Sequence, residues 1–175
     1  MPNWVRTKVI IKDITDEEFK GLVEKYCTND TLDFTKILPP PDDIYMGPLG
    51  PEELRKYGTK NWYDWQCDNW GTKWNACDGS IDEDEHAFEF ETAWSVALPV
   101  LLQFAQDIKR VMDIKYADED YGSNLGIILI DIEDGEVTYD QTEYDNESPE
   151  TPALLEELWD VSQEDLDYWQ ANGYF

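Results

Sequence analysis

The chain has 175 residues, and 41% of them are hydrophobic, so it can bury one sizeable core and wholesale disorder is excluded. Forty acidic residues stand against 13 basic ones, which gives a net charge of −27 at pH 7. Such a surface excludes broad binding to a nucleic-acid backbone or an anionic membrane, because both require clustered Lys and Arg.

The first third of the chain predicts a strand, a helix and a second strand. Partly alternating β-branched residues predict a strand at Trp4–Ile11. Thr15 and Glu18 have the spacing of a capping box and predict the start of a helix. A second strand is predicted at Leu32–Leu38, because the prolines that follow end it. A loop rich in Gly and Pro then opens a Trp-rich insertion, residues 42–75.

The middle of the chain predicts a hairpin followed by a helix. One strand begins near Trp74, and the return strand is Ala87–Thr92. The acidic run Asp82–Glu85 is expected to be the solvated loop between them. Pro99 suits the first turn of a helix that we expect to continue through Val111.

Three more strands and two helices are predicted after this point. The strands are expected at Met112–Tyr116, Leu125–Ile132 and Glu136–Tyr139, with a tight turn between the last two. Helices are expected to begin at Pro152 and after Ser162.

This order of elements predicts an α+β fold with a ferredoxin-like, mixed or antiparallel sheet and helices on one face. We expect one ferredoxin-like domain over residues 1–145, which includes the insertion at 42–75. Residues 146–175 are expected to form an acidic helical extension packed on that domain.

Two motifs resemble those of a known family. They are Trp70-Gly71-Thr72-Lys73-Trp74-Asn75-Ala76 and Phe90-Glu91-Thr92-Ala93-Trp94-Ser95, the latter followed by Pro99-Val100. Together with the opening strand and Leu38-Pro39-Pro40, they resemble the YubB-like family with a ferredoxin-like domain, which occurs on plasmids and phages. The resemblance covers residues 1–145 and implies a fold and a mobile-element origin, without an activity. The sequence lacks the four cysteines of an iron–sulfur site.

Residues for catalysis or metal binding are sparse. His86 is the one histidine, and a hairpin over residues 76–90 would bring it near Cys77. A small enzyme built on this pair is therefore kept as an alternative. Cys27, Cys67 and Cys77 are expected to be free thiols, because their spacing fits neither zinc nor a disulfide framework. No nucleotide-binding motif is present, so we expect no catalytic residue, metal or cofactor.

The tryptophans could have either a structural or a ligand-binding role. We expect five of them to join a core or satellite cluster, because aromatic side chains dominate core energetics. The alternative is a surface that stacks bases or sugars. The five are Trp62, Trp65, Trp70, Trp74 and Trp94.

The acidic charge is concentrated in the last third of the chain. Residues 116–175 hold 18 acids and no Lys or Arg, whereas residues 1–115 have a net charge of −9. This excess lies on predicted strands and helices, where self-repulsion opposes folding. Ordered carboxylates can imitate the phosphates of DNA, so a functional use is favoured over a merely solubilising surface.

The leading hypothesis is a phage or plasmid counter-defence protein, an anti-CRISPR or anti-restriction inhibitor that acts as a DNA mimic. Its partner would be a host nucleic-acid-binding complex with a basic groove. We expect the protein to be located in the cytoplasm of the bacterial host, because no signal peptide is evident. An adaptor that grips a host protein through aromatic residues such as Tyr168 and Trp169 is the alternative. The oligomeric state stays open. Candidate contact residues are Asp118, Glu119, Asp120, Asp131, Glu133, Asp134, Glu136, Asp140, Glu143, Asp145, Glu156, Glu157, Asp160, Glu164, Asp165 and Asp167.

Overall fold

The structure is a computed structural model and describes residues 3–172. Its strands are β1 (Trp4–Ile11), β2 (Cys27–Thr28), β3 (Thr31–Leu32), β4 (Cys77–Asp82), β5 (Ala87–Ala93), β6 (Met112–Asp118), β7 (Leu125–Glu133) and β8 (Glu136–Tyr144). Its α-helices are α1 (Asp16–Tyr26), α2 (Pro51–Tyr57), α3 (Trp62–Trp70), α4 (Leu98–Ile108), α5 (Thr151–Trp159) and α6 (Gln163–Ala171).

One six-stranded antiparallel sheet organises the fold, in the order β4-β5-β1-β6-β7-β8. The elements β1, α1, β4, β5, α4 and β6 follow one another as a split βαβ unit, with β1 between β5 and β6. The hairpin of β7 and β8 extends the sheet beyond β6. The predicted α+β, ferredoxin-like class is therefore confirmed.

The two faces of the sheet are buried by different helices. On β6, Tyr116 belongs to the main core with Phe19 and Phe104 from α1 and α4. The next residue, Ala117, belongs to a second cluster with Leu155 from α5. Because successive side chains on a strand point to opposite faces, α5 covers the face opposite to α1 and α4.

The expectation of helices on one face holds for α1 and α4 of the ferredoxin-like domain, whereas α5, which lies in the expected C-terminal extension, covers the opposite face. The physical reason for the position of α5 lies where the end of β6 pairs with the start of β7. The residues there are apolar on both faces of the sheet. Leu125 and Ile127 pack in the second cluster, whereas Ile128 packs in the main core. A strand that is apolar on both faces must be covered on both.

The predicted strand at Leu32–Leu38 is also wrong. After the two-residue β3, the chain forms a 3₁₀ turn at Phe34–Lys36. The Asp33 side chain caps this turn by accepting the Thr35 amide at 3.0 Å, and the Asn75 side chain accepts the Phe34 amide at 2.8 Å. Phe34 is thereby buried against Trp70, so tertiary contacts override the local β-propensity.

Other boundaries shift by a few residues. The helix expected through Val111 ends at Ile108, because Lys109 adopts a left-handed conformation with φ of 53°. The strand expected to end at Tyr139 continues as β8 to Tyr144. The capping box of Thr15 and Glu18 is confirmed.

The second cluster predicts how α5 is held. Leu155 is fully buried there, so Leu155→Ala should lower the free energy of unfolding by about 2–5 kcal/mol. Urea unfolding followed by circular dichroism measures this change. Leu54→Ala is the matched control, because Leu54 is 48% exposed on α2 and its loss should cost less than about 0.5 kcal/mol. Equal, small losses in both variants would contradict the assignment of α5 to a buried layer.

Candidate functional site

Three cations on the sheet, Arg6, Lys8 and Lys115, hold the acidic helix α5. The Arg6 guanidinium donates to the Leu158 carbonyl at 2.9 Å and lies 4.3 Å from the centre of the Trp159 ring. Lys115 forms an ion pair with Glu157 at 2.5 Å. Basic side chains of the first 115 residues thus bind the face of α5 that packs on the sheet.

Lys8 is the centre of this ionic layer. Its side chain is only 8% exposed, and its ammonium lies 2.6 Å from Glu85, 3.5 Å from Glu89 and 3.4 Å from Glu157. Burial alone would lower the pKa of Lys8, but the hydrogen bond and charge of Glu85, with Glu157 and Glu89, outweigh it and raise the pKa. The ammonium therefore stays charged and joins the β4–β5 hairpin to α5.

Several of the predicted contact residues also have structural roles. Asp118 is buried and accepts hydrogen bonds from Asn124 and from the Asp120 amide, which shapes the turn after β6. Glu119 accepts the Trp4 amide at 3.0 Å. These bonds fix the β6–β7 connection, and the carboxylate of Asp118 faces the protein, which disfavours a role for Asp118 in surface contact.

Three more of the acids stabilise local structure. Asp145 accepts from the Ser148 hydroxyl and the Glu147 amide, and these bonds lower the pKa of Asp145. Asp165 accepts the Ser162 amide and hydroxyl at the start of α6, which forms a capping box. Glu157 faces the cations beneath α5.

The exposed acids of the β7–β8 hairpin form the most ordered part of the predicted surface. Strand pairing places Glu133 opposite Glu136, Asp131 opposite Thr138, and Leu129 opposite Asp140. The alternation of the strands puts the four carboxylates on the face that α5 covers further along the sheet. We call this set the hairpin face: Asp131, Glu133, Glu136 and Asp140.

The hairpin face is an uncompensated cluster of negative charge. Its four residues are exposed, and within residues 3–172 none of them has a Lys, Arg or His within 4.0 Å. Side chains two residues apart on one strand are about 7 Å apart, and directly opposed ones about 5 Å apart. The pairing of Glu133 with Glu136 therefore opposes like charges, which destabilises a hairpin unless other contacts compensate.

The remaining predicted acids lie at other places on the surface. Asp134 occupies the hairpin turn, with φ of 52°, and Glu143 lies on the opposite face of β8 from the hairpin face. Asp120 is exposed and accepts from Asn3 at 2.5 Å. The others are exposed on α5, its C-cap and α6: Glu156, Asp160, Glu164 and Asp167.

Cys77 and His86 do not meet. Cys77 pairs with Glu91 across the β4–β5 ladder, so it lies about 16 Å along the strand from His86. The imidazole of His86 instead binds Asp16 at 2.9 Å. Burial, with the charges of Asp78 and Glu91, raises the pKa of Cys77 to about 11, which disfavours the nucleophilic thiolate.

The tryptophans divide between core and surface. Trp70 is fully buried, and Trp65 packs edge-on against it at 5.7 Å between ring centres. Trp62 is partly buried and donates to the Gly47 carbonyl. Trp74 contacts Trp4, and Trp94 packs edge-on against Tyr63 while it stays 43% exposed, so Trp94 belongs to a satellite cluster and not to the core.

The participation of Lys73 and Tyr63 in a satellite cluster with Trp74 and Trp94 was not predicted from the sequence. The Lys73 ammonium lies 4.3 Å from the centre of the Trp74 ring, 5.3 Å from Trp94 and 5.9 Å from Tyr63. The two family-like motifs meet here, since Thr72 donates to the Ala93 carbonyl at 2.8 Å. The two motifs were the sequence signal that could have indicated this cluster. Neither motif shows which of its tryptophans is exposed.

The described part of the chain contains neither a membrane-spanning helix nor a cluster of metal-binding side chains. Along residues 3–172, no helix has both the length and the apolar composition needed to cross a bilayer. Over the same residues, no group of three or more His, Cys, Asp and Glu side chains is arranged to hold a metal ion.

Comparison with known proteins gives one match. A family model described as the ferredoxin-like domain in Api92-like protein matches residues 69–162. This range runs from the end of α3 through β4 to β8 and α5. No curated protein and no solved structure matches the chain.

The raised pKa of Cys77 predicts slow alkylation. At pH 8, iodoacetamide should modify Cys77 on the order of 100-fold more slowly in the folded protein than in urea, because the thiolate is scarce. Peptide mapping by mass spectrometry follows Cys77 separately from Cys27 and Cys67. Equal rates in the folded and unfolded protein would contradict the burial of the thiol and revive the small-enzyme alternative.

Proposed function

We propose that this chain, which belongs to the family of the ferredoxin-like domain in Api92-like protein, is a counter-defence protein that acts as a DNA mimic. Its acidic C-terminal third would occupy the nucleic-acid-binding groove of a bacterial defence complex and block it. CRISPR effectors and restriction enzymes are the classes of target that such a surface suits, since both bind DNA. The YubB-like membership and the plasmid or phage origin are part of this proposal.

The hairpin face is the observation that carries the proposal. Asp131, Glu133, Glu136 and Asp140 lie on two paired strands with no cation beside them among residues 3–172. The hydrogen-bonded ladder fixes the positions of their backbones, so a partner meets charges that are already arranged. Such preorganisation favours binding, because less conformational freedom is lost on association.

The charge density favours a partner that normally binds phosphates. B-DNA presents one negative charge per about 1.7 Å of its axis, and a groove that reads it is lined with Lys and Arg. Carboxylates about 5–7 Å apart on the hairpin face offer such cations alternative partners. The net charge of −27 would also speed encounter through electrostatic steering, which weakens as salt is added.

The basic side chains that bind α5 leave the charge of the hairpin face unneutralised. Arg6, Lys8 and Lys115 are engaged beneath α5 and do not reach the hairpin face. The acids of the C-terminal third therefore project from a layer that is anchored to the sheet. A floppy acidic tail would lack this fixed geometry.

An aromatic adaptor is the second candidate, and one observation favours it. Trp94 is held at φ of 74°, a conformation that bulky residues rarely adopt, and it stays 43% exposed. Its amide donates to the Asn3 carbonyl at 2.9 Å, and its carbonyl accepts from Asn124 at 3.0 Å. Exposed tryptophans are common anchors at protein interfaces, and a complex centred on Trp94 would resist salt.

Charge reversal of the hairpin face tests the proposal. The variant changes all four residues to Lys, and tagged protein then captures partners from a bacterial lysate at low salt. We expect the wild type to retain a DNA-binding protein that leaves at high salt, and the variant to retain at least about tenfold less of it. The four changes are Asp131→Lys, Glu133→Lys, Glu136→Lys and Asp140→Lys.

A matched control carries the same change of net charge elsewhere. Its four residues are exposed and lie outside the C-terminal third, and this variant should retain the partner. If both variants lose the partner, net charge alone governs binding. If both variants retain the partner, the DNA-mimic proposal is wrong. Retention through high salt combined with loss in Trp94→Ala would favour the adaptor. The control changes are Glu24→Lys, Asp42→Lys, Glu52→Lys and Asp84→Lys.

A further inference from the structure

The strand β8 leaves one edge of the sheet open. It spans Glu136–Tyr144, pairs with β7 on one side, and has no paired strand on its other side within residues 3–172. The opposite edge strand, β4, differs, because Gly79 donates its amide to the Thr31 hydroxyl of β3 at 3.1 Å. Nearly every residue of β8 is exposed, so its outer edge is accessible.

The turn determines which backbone groups face outward. Asp134 and Gly135 have φ of 52° and 87°, the signature of a two-residue type I′ turn. The residues that flank such a turn, Glu133 and Glu136, exchange hydrogen bonds with each other. Alternation then directs the backbone groups of Thr138, Asp140 and Thr142 toward β7 as well.

The position of one carbonyl supports this assignment. A Cβ atom built on Gly126 of β7 would lie 2.1 Å from the Thr142 oxygen, so that carbonyl faces β7. The amides and carbonyls between these positions consequently face away from the sheet. They belong to Val137, Tyr139, Gln141 and Glu143.

The edge strand β8 is protected by acidic side chains and not by the lysines, prolines or bulges that are more usual. Natural edges are blunted by lysines, prolines or bulges, whereas β8 contains no Lys or Pro and pairs with β7 in unbroken register. It carries Glu136, Asp140 and Glu143 instead. These charges repel a second copy of the same strand, but they attract a strand that carries Lys or Arg.

We infer that the outer edge of β8 binds an extended basic segment of the partner by strand addition. The outward amides and carbonyls would form main-chain hydrogen bonds, and the three carboxylates would bind the basic side chains. Tyr139, which is 48% exposed, would pack against the stem of one of them. The inference rests on the proposed function for the charge of the partner and adds the backbone as a second means of recognition.

A synthetic peptide tests this mode of binding. The probe is a nine-residue peptide of alternating Lys and Val, added to the isotope-labelled full chain. Hydrogen exchange measured by NMR should slow at the four outward amides and stay unchanged at Thr138 and Asp140. A second peptide, N-methylated at alternate residues so that one edge cannot donate, should bind about tenfold more weakly.

A pair of variants isolates the backbone contribution. Tyr139→Pro removes one outward N–H, and prolines are tolerated on edge strands where that group faces solvent. Tyr139→Ala removes the same ring but keeps the N–H. We expect Tyr139→Pro to weaken peptide binding about tenfold relative to Tyr139→Ala. Thermal unfolding by circular dichroism must show that both variants remain folded at the temperature of the assay.

The outcomes separate this inference from the proposed function. Equal binding of both peptides, or no change in exchange at the outward amides, would overturn strand addition. In that case the variant with the charge-reversed hairpin face would still fail to retain the lysate partner, and the DNA-mimic proposal would be unaffected. Protection of the outward amides by the Lys peptide, when the wild type retains no DNA-binding protein from the lysate, would support strand addition and contradict the DNA mimic.

Discussion

The rest of the structure depends on the cationic layer beneath α5. Arg6, Lys8 and Lys115 alternate with apolar residues on β1 and β6, so one face of these strands builds the main core and the other binds α5. Without these cations, a C-terminal third with 18 acids and no Lys or Arg would have no positive charge to pack against. Chain segments of unequal charge are joined here by short ion pairs, among which the Lys8 ammonium is the most buried charge.

Burial makes this layer more than a set of surface ion pairs. Exposed pairs contribute little, whereas Lys8 is shielded from solvent and faces three carboxylates. The raised pKa of Lys8 means that this ionic contribution is complete below its ordinary value of 10.5 and is lost as the pH rises through the raised value. At neutral pH the docking of α5 is therefore fully supported, and the remaining acids are free to face solvent or a partner.

The hairpin of β7 and β8 extends this logic beyond the ferredoxin-like core. Its base is covered by α5, while its far end carries carboxylates on one face and an open edge alongside. Placing like charges on paired strands opposes folding, and the ladder and the apolar residues of β7 compensate for that cost. The same hairpin therefore combines a fixed array of charges with unpaired backbone groups.

Local signals predicted the parts of the fold that local chemistry determines. Thr15 with Glu18 and the Asp134-Gly135 turn are examples, since each needs only neighbouring residues. The strand expected at Leu32–Leu38 failed because Asn75, far along the chain, stabilises a 3₁₀ turn there. Among the site residues, the exposed acids of β7 and β8 could be found from alternation, whereas the buried turn role of Asp118 could not, because it depends on Asn124 and Asn3.

The exposure of Trp94 illustrates the same limit. Composition favours a buried tryptophan, but the hydrogen bonds to Asn3 and Asn124 hold this one outward. Its position follows from the meeting of two motifs that are distant in sequence, so only the assembled fold shows it.

The most direct test of the account is competition with DNA for one binding site. The partner retained from the lysate at low salt would be loaded with fluorescent duplex DNA, and the release of that DNA by the protein measured by anisotropy. The account predicts release that approaches completion at one equivalent of protein at low salt, because one groove cannot hold both ligands at once. Stable binding of the protein to a partner that keeps its DNA would contradict the mimic, because the two ligands would then occupy different sites.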